Sequence, residues 1–260
     1  HLSIRRQRQM CIRDSSNMRT SAEKDGNQYI INGTKNWVTS GINSDIVILF
    51  CLTQKGLGAK GISAFVIEKG TAGLSPGKKE DKLGIRASDT CELYFENCRV
   101  PEENMIGKDG EGFTIAMKAL GGGRIGIAAQ ALGLSRAALD AAVAYAKERK
   151  QFGKPIGQFG SIQNKLADMA TDVDAARLLV WRAAHLKDKG KGYSKESSMA
   201  KLFASSTAMK SATDCVQIHG GYGYMQEYGV ERLMRDAKIT EIYEGTSEIQ
   251  RLVIGRDLLR

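Results

Sequence analysis

Short runs rich in β-branched and aromatic residues fill the first part of the chain, and turn dipeptides such as Asp25-Gly26 and Asn32-Gly33 separate them. This alternation is typical of strands joined by hairpins. We therefore predict a small antiparallel β domain over residues 16–106. Its strands are expected at residues 29–31, 36–38, 46–52, 62–67 and 93–95.

Beyond residue 106 the apolar residues recur every three or four positions, which is the spacing of a helix face. Long helices with short connections favour an up-and-down four-helix bundle. The predicted fold class is therefore α+β, a small antiparallel β domain followed by a C-terminal helical bundle over residues 107–260. The four helices are expected over residues 120–145, 162–186, 195–219 and 247–259.

The first fifteen residues differ from the rest of the chain. They show neither apolar periodicity nor turn residues that lead into the next segment, so we expect a foreign or disordered leader over residues 1–15. They also carry charges where a signal peptide has its apolar stretch. Because no run of eighteen apolar residues occurs in the sequence, we expect no membrane insertion and a cytoplasmic location.

Composition adds two constraints. With 42% apolar residues, a chain of 260 residues has enough material for a sizeable core. The cysteines are odd in number and show neither a C-x-x-C pair nor zinc-ligand spacing. We expect them to be reduced and buried, and we predict no metal site. The five are Cys11, Cys51, Cys91, Cys98 and Cys215.

The net charge of +9 does not by itself indicate nucleic-acid binding. Four arginines and one aspartate before Ser16 supply +3 of it, and the remaining +6 is spread thinly along the chain. A nucleic-acid-binding protein normally clusters Lys and Arg in a stripe or patch. We therefore expect no nucleic-acid partner, and a surface suited to an anionic cofactor or substrate.

The string GGGRIG at residues 121–126 matches the G-x-G-x-x-G dinucleotide fingerprint letter for letter. That fingerprint requires a loop between a strand and a helix, whereas this string lies inside a helical pattern. Small residues at this place instead indicate close packing of a neighbour against the helix. Arg124 lies one step from the apolar seam, so it is either solvated or binds a phosphate or carboxylate.

Two further strings combine glycine with charge. RKQFGKPI at residues 149–156 is explained as a helix end, because cations suit a helix C-terminus and Pro155 suits the entry to the next helix. QIHGG at residues 217–221 is a glycine-rich break between helices, where glycine permits positive φ or the approach of a flat or charged ligand. His219 is one of only three histidines, so a Ser-His-Asp or zinc mechanism has little material to work with.

The string IYEGTSEIQR at residues 242–251 has two interpretations. Glu244 stands in a turn before a helix that Thr246 or Ser247 would cap, with Glu248 in the first turn. The alternative is chemical. Glu244 follows apolar Ile242 and Tyr243, a setting in which a carboxylate loses water and gains basicity.

Together these strings resemble the acyl-CoA dehydrogenase family, most closely its butyryl-CoA-type short-chain members. The resemblance runs from about residue 16 to residue 260, with the strings in the family's order and spacing. It implies a flavoprotein oxidoreductase of fatty-acid or amino-acid catabolism that converts an acyl-CoA thioester to the trans-2-enoyl-CoA. FAD would accept the β-hydride, an electron-transfer flavoprotein would take the electrons, and the enzyme would be a homotetramer.

The resemblance also implies roles for individual residues. Glu244 matches the catalytic base that removes the α-proton. Some relatives place that base immediately before the residue matching Arg124, but Gly123 stands there in this chain. The residues matching substrate contacts are Arg124, Tyr243 and Gly245. Those matching FAD contacts are Trp37, Thr39, Arg149, Phe152, Gln217, Gly220, Gly221, Thr246 and Glu248.

The sequence departs from the family pattern before residue 16. The family normally has an N-terminal helical domain and a segment reading LTEPxAGSD, and the sequence contains neither. We expect a truncated or chimeric reading frame, and the alternative function is a non-catalytic fragment that folds or oligomerises but cannot retain FAD. Two smaller departures are Gly121, where Asp is common near the substrate, and Gly160, where a FAD-contacting Gln is common.

Overall fold

The computed structural model describes residues 18–260, so the predicted leader lies outside the described residues. The described chain divides into two compact units. The first unit holds the described residues up to Lys82 together with Arg86–Ala119, and the second holds Leu83–Ile85 and Leu120–Arg260.

The first unit is built on a seven-stranded sheet with the order β5-β6-β2-β1-β3-β4-β7. All neighbouring strands pair antiparallel except β1 and β3, which run parallel and share the single register pair Ser21↔Leu52. The predicted antiparallel β domain is thus confirmed apart from that one pairing. The strands are β1 (Ser21–Asp25), β2 (Gln28–Thr39), β3 (Ile46–Leu52), β4 (Ile62–Glu68), β5 (Leu74–Pro76), β6 (Thr90–Pro101) and β7 (Met105–Ile106).

One of the two predicted turns is wrong. Asp25 pairs with Gln28 across a two-residue loop, as predicted. Asn32-Gly33, in contrast, lies inside β2, where the pairing with β6 shifts register. Gly33 has a φ of 141°, and a Cβ there would lie 2.7 Å from the Cα of Thr20. Glycine is therefore needed for a β-bulge and a close backbone approach, not for a reversal of the chain.

Alternate side chains of the long strands form the core of the first unit. Ile31, Phe65, Leu93 and Phe95 are buried, and the rings of Tyr29 and Phe65 meet edge to face with centroids 5.0 Å apart. Four free cysteines are buried, three in this unit and Cys215 in the second, as predicted, while Cys11 lies outside the described residues.

The second unit is helical. The four predicted helices are confirmed, and the structure adds a fifth, α4, that the sequence analysis missed. Alanine lines the buried faces of α1 and α3, which lets the helices approach closely. The helices are α1 (Gly112–Glu148), α2 (Gly160–Asp188), α3 (Ser194–His219), α4 (Val230–Thr240) and α5 (Ser247–Leu258).

Helix α3 is central, because it packs against α2, α4 and α5. Within the described residues, α1 is the one helix long and apolar enough to cross a membrane by length and composition, a test that the core helix of a folded protein also passes. GGGRIG lies inside α1, as predicted, so it is not the loop of a dinucleotide fold.

Candidate active site

The turn between α4 and α5 carries Glu244 in an unusual backbone conformation. Glu244 has a φ of 52° and Gly245 a φ of 91°, so two successive residues are left-handed. The turn is closed by a hydrogen bond from the backbone N–H of Ser247 to the carbonyl of Glu241, at 3.0 Å. A left-handed non-glycine residue is strained and persists only where its surroundings enforce it, which occurs most often at functional sites.

Two buried side chains enforce that conformation. The ammonium of Lys201 on α3 donates to the carbonyl of Gly245 at 2.8 Å. The side-chain amide of Gln250 on α5 donates to the carbonyls of Glu244 and Gly245 at 3.1 and 2.9 Å. Both side chains have a relative exposure of 0%. We call Lys201 and Gln250 the carbonyl clamp.

The carboxylate of Glu244 lies directly over Gly123 of α1. A Cβ added to Gly123 would be 2.6 Å from Oε2 and 3.0 Å from Cδ of Glu244. No side chain fits at residue 123 unless the carboxylate moves. The small residue that the sequence indicated for close packing therefore makes room for a charged group.

Two opposing effects act on the pKa of the Glu244 carboxyl, and burial is the larger of the two. Burial raises the pKa of Glu244, because the charged form loses hydration, while the cations of Arg124 and Lys201 oppose the rise. Burial likewise lowers the pKa of Lys201 to about 8. The expectation that Glu244 gains basicity agrees with the direction of its shift.

Arg124 is buried, with a relative exposure of 5%, so the solvated alternative is wrong. Its guanidinium donates to the hydroxyl of Ser198 at 3.3 Å, and its Nε has no partner among residues 18–260. Burial lowers the pKa of Arg124 and the charge of Glu244 raises it. A buried guanidinium with a donor to spare is suited to an anion or a carbonyl oxygen.

The neighbours of Glu244 in sequence are also fixed. The phenol of Tyr243 donates to the side-chain carbonyl of Gln130 on α1, and burial raises its pKa. Thr246 occupies the N-cap position of α5 but makes no side-chain bond to the backbone, so the predicted cap bond is absent. Glu248 is exposed, and hydrogen bonds from its own backbone N–H and from Thr246 lower its pKa.

A second group of predicted residues surrounds an open cavity of about 500 Å³. Arg149 lies on its wall with the guanidinium 5.3 Å from the centre of the Tyr222 ring. A Cβ on Gly220 or Gly221 would meet nothing within 4 Å, so the backbone there is open to a ligand. The lining residues are Tyr145, Arg149, Gln151, Ile156, Ile218, His219, Gly220, Gly221, Tyr222 and Met225.

Of the nine predicted FAD contacts, Arg149, Gly220 and Gly221 line this cavity and the other six do not. Phe152 is 94% exposed and occupies, with Gly153, a two-residue turn between the short strands β8 (Lys150–Gln151) and β9 (Lys154–Pro155). Gln217 is exposed and accepts the backbone N–H of Gly220 through its carbonyl. Pro155 ends β9 and is the N-cap of a short 3-10 helix, Ile156–Gln158, so the predicted helix entry is confirmed one turn before α2, which begins at Gly160.

Trp37 and Thr39 lie at the end of β2 in the first unit. Trp37 has a φ of 60° and a relative exposure of 51%, so it is not an ordinary core residue. The loop that follows is held by the buried carboxylate of Asp89, which accepts the backbone N–H of Ile42 at 2.9 Å and the side-chain amide of Asn43 at 2.8 Å. The end of β2 is thereby a rigid support for two exposed side chains.

Four residues that hold these sites were not predicted from the sequence, namely Lys201, Gln250, Gln130 and Asp89. Gln250 belongs to the string at residues 242–251 but received no role. Lys201 carried the clearest signal, since it is a single cation in the small-residue run SSMAKLFASSTA of a helix. Lysine in such a run is either exposed or committed to a buried partner.

Profiles of two acyl-CoA dehydrogenase domains match this chain. The profile of the C-terminal domain covers residues 110–259 and that of the middle domain covers residues 13–98. The chain therefore belongs to the acyl-CoA dehydrogenase family, as the resemblance predicted, and the predicted fold class is that of its relatives.

Among its relatives are acyl-CoA dehydrogenase of Bacillus subtilis, 57% identical over 246 residues, and short-chain specific acyl-CoA dehydrogenase of Megasphaera elsdenii, 54% identical over 248 residues. Each alignment covers 95% of this chain and 65% of the relative. The solved butyryl-CoA dehydrogenase of Megasphaera elsdenii is similar with a TM-score of 0.94 and 53% identity, again over 95% of this chain and 65% of that one. The chain thus spans about two-thirds of the length of these relatives.

Proposed function

We propose that the chain carries the catalytic base of a flavin-dependent acyl-CoA dehydrogenase, with Glu244 as that base. The reaction would be the α,β-dehydrogenation of an acyl-CoA thioester to the trans-2-enoyl-CoA in fatty-acid or amino-acid catabolism. This proposal rests on the environment of the Glu244 carboxylate. Glu244 is partly buried in a left-handed turn, its carboxylate lies over Gly123, and its pKa is raised.

The α-proton of a thioester is only weakly acidic, so the base must be both ionised and basic. Burial makes Glu244 more basic, and the cations of Arg124 and Lys201 favour its anionic form. A positioned general base contributes roughly 10²–10⁴-fold to the rate. The left-handed turn supports such positioning, because it fixes the carboxylate from a rigid backbone.

Negative charge that develops on the thioester oxygen needs hydrogen-bond donors aimed at it. The carbonyl clamp binds the carbonyls of Glu244 and Gly245, whereas the backbone N–H of Glu244 has no partner among the described residues. We assign that N–H as a donor to the thioester oxygen. Arg124, Tyr243 and Gly245 would complete the substrate contacts.

The residues around the open cavity fit FAD. Arg149 suits a phosphate, and the bare backbone of Gly220 and Gly221 admits a flat or charged group. When bound, FAD supplies the hydride acceptor for the β-carbon. By the family resemblance, Trp37, Thr39, Thr246 and Glu248 would also contact FAD.

Phe152 supports an oligomeric arrangement. It is 94% exposed on a hairpin turn, so its ring is accessible to a second chain. We propose that Arg149 and Phe152 contact the FAD of a neighbouring subunit in a homotetramer, and that Gln217, Gly220 and Gly221 contact the same cofactor. A structure similar to this chain, with a TM-score of 0.94, comes from work on the electron transferring flavoprotein of Acidaminococcus fermentans, so we propose such a flavoprotein as electron acceptor.

We further assign residues 16–106 to the middle domain and residues 107–260 to the C-terminal domain, in a cytoplasmic enzyme. Because relatives named as short-chain specific are more than half identical to this chain, butyryl-CoA is the substrate to test first.

The test compares two proteins. One is the 260-residue chain, and the other is a chimera that adds the part of the Bacillus subtilis relative that this chain does not cover. Each is mixed with FAD, freed of unbound flavin and treated with butyryl-CoA without oxygen. We expect the chimera to be yellow and to bleach. A colourless chimera, or one that butyryl-CoA leaves yellow, would contradict the proposal.

The same experiment addresses the second candidate, a fragment that folds or oligomerises but cannot retain FAD. The observation that favours it is the coverage of only 65% of the relatives. A chain that remains colourless beside a yellow, bleaching chimera would assign this second function to the isolated chain. A chain that itself binds FAD and bleaches would exclude it.

A further inference from the structure

We propose that Lys201 is a positioning residue for Glu244: together with Gln250 it holds the turn at residues 244–245 in its left-handed form and keeps a cation beside the base. The positioning is independent of the proposed function, and only its effect on turnover rests on that function.

Lys201 is a fully buried cation on α3. Its relative exposure is 0%, and lysine is almost never fully buried unless its charge is paired. Among the described residues its ammonium forms no salt bridge, and its hydrogen bond goes to the carbonyl of Gly245 at 2.8 Å. A buried charge that is satisfied by a carbonyl rather than a carboxylate opposes folding. An uncharged side chain of similar length would fill the same space at lower cost.

The direction of the hydrogen bonds is the second argument. Three donated bonds from two side chains converge on two successive carbonyls, those of Glu244 and Gly245. Both residues have positive φ, which Glu244 does not adopt without support. The amide nitrogen of Gln250 donates to both carbonyls, and its side-chain oxygen has no partner among residues 18–260. Without Lys201, the carbonyl of Gly245 would retain only the bond from Gln250.

The charges around the turn give the third argument. Two cations face the carboxylate of Glu244, Arg124 from α1 and Lys201 from α3, and both lower its pKa. Lys201 in turn faces three acidic side chains and one cation, namely Glu241, Glu244, Glu248 and Arg124. Glu241 and Glu248 therefore favour the ammonium form without touching the base. Among residues 18–260, removing the Lys201 charge should leave Arg124 as the cation that opposes the effect of burial on the pKa of Glu244.

The decisive variant is Lys201→Met, which keeps an unbranched apolar stem and removes the ammonium. The matched control is Lys210→Met on the same helix, because Lys210 pairs with Asp172 at 2.9 Å on the surface. The pKa of the Glu244 carboxyl is measured by carbon NMR on the 260-residue chain labelled at its glutamate side chains, with Glu244→Gln to assign the signal. We expect Lys201→Met to raise this pKa and Lys210→Met to leave it unchanged.

Turnover is measured in the chimera. We expect Lys201→Met to lower kcat by about 10- to 100-fold, the effect of misplacing a reacting group by up to an ångström, with KM for butyryl-CoA nearly unchanged. A folded Lys201→Met protein with the parental pKa at Glu244 and the parental kcat would overturn the proposal. If the parent chimera does not turn over, the proposed function fails while the NMR measurement still decides the positioning role.

A variant that keeps a donor covers the case in which Lys201→Met does not fold. Lys201→Gln removes the charge and retains an N–H for the Gly245 carbonyl. We expect it to raise the pKa of Glu244 while preserving the turn, as reported by the amide chemical shifts of residues 243–247. An unchanged pKa in a folded Lys201→Gln protein would equally overturn the proposal.

Discussion

Replacing Gly123 with alanine should move stability and activity in opposite directions. The new Cβ would lie 2.6 Å from Oε2 of Glu244. Ordinary contact begins near 3.4 Å, so the carboxylate must withdraw by about 0.8 Å. The obstructing atoms are the end of a flexible side chain, so the helix itself is free to accept the methyl group.

The two effects have different sizes. Alanine in place of glycine inside a helix stabilises by roughly 0.5–1 kcal/mol, and this gain should appear in the free energy of unfolding. Displacement of the base by nearly an ångström should lower kcat by about 10- to 100-fold, which corresponds to about 1.4–2.7 kcal/mol of transition-state free energy. KM should change little, because the bulk of the substrate does not contact the carboxylate.

The assay combines urea unfolding of the 260-residue chain with turnover of butyryl-CoA by the chimera. Gly133→Ala is the control, since it lies in the same helix and a Cβ there meets nothing within 4 Å. The control should gain stability and keep its kcat. Full activity of Gly123→Ala would show that the carboxylate of Glu244 does not need its position over residue 123.

Two further predictions concern residues away from Glu244. Asp89→Ala should lower the free energy of unfolding by about 1–3 kcal/mol, because it leaves the partly buried N–H of Ile42 unpaired. Hydrogen bonds from Ile42 and Asn43 hold the pKa of Asp89 below its usual range. The Asp89 carboxylate therefore binds a proton more readily in the unfolded chain than in the folded one. Its contribution to the free energy of unfolding should be lost as the pH falls below about 3.9. If the parent chain and Asp89→Ala lost stability equally steeply in acid, this prediction would be contradicted. Arg149→Gln should weaken FAD binding by the chimera about 10- to 100-fold. It should change the free energy of unfolding by less than about 1 kcal/mol. An unchanged affinity in a flavin titration would show that Arg149 does not bind the cofactor.

The sequence predicted best where one local signal dominates. The β-branched run of β3 was placed at residues 46–52, which is its observed extent, and the periodic helices were found. Strand β1 was missed because SAEKD has few β-formers and pairs only in the context of the sheet. Asn32-Gly33 was misread because glycine serves both turns and bulges, and only the approach of Thr20 distinguishes them.

In the candidate site, too, the sequence identified a residue with a local signal but not the residues whose role depends on tertiary contacts. Glu244 could be singled out from its apolar predecessors and the glycine after it. The shared role of Lys201 and Gln250 could not be predicted, because it depends on three elements, α3, α5 and the turn, meeting at two carbonyl oxygens. Helix periodicity places a residue on a face but does not say which backbone group a buried ammonium will find.

If Glu244 takes the α-proton, Glu244→Gln in the chimera should abolish reduction of the flavin by butyryl-CoA. The amide keeps the shape of the side chain and removes the base. We predict that the variant binds FAD and butyryl-CoA as the parent does, yet remains yellow when butyryl-CoA is added without oxygen. Bleaching at the parental rate would show that Glu244 is not the base and that another residue takes the α-proton.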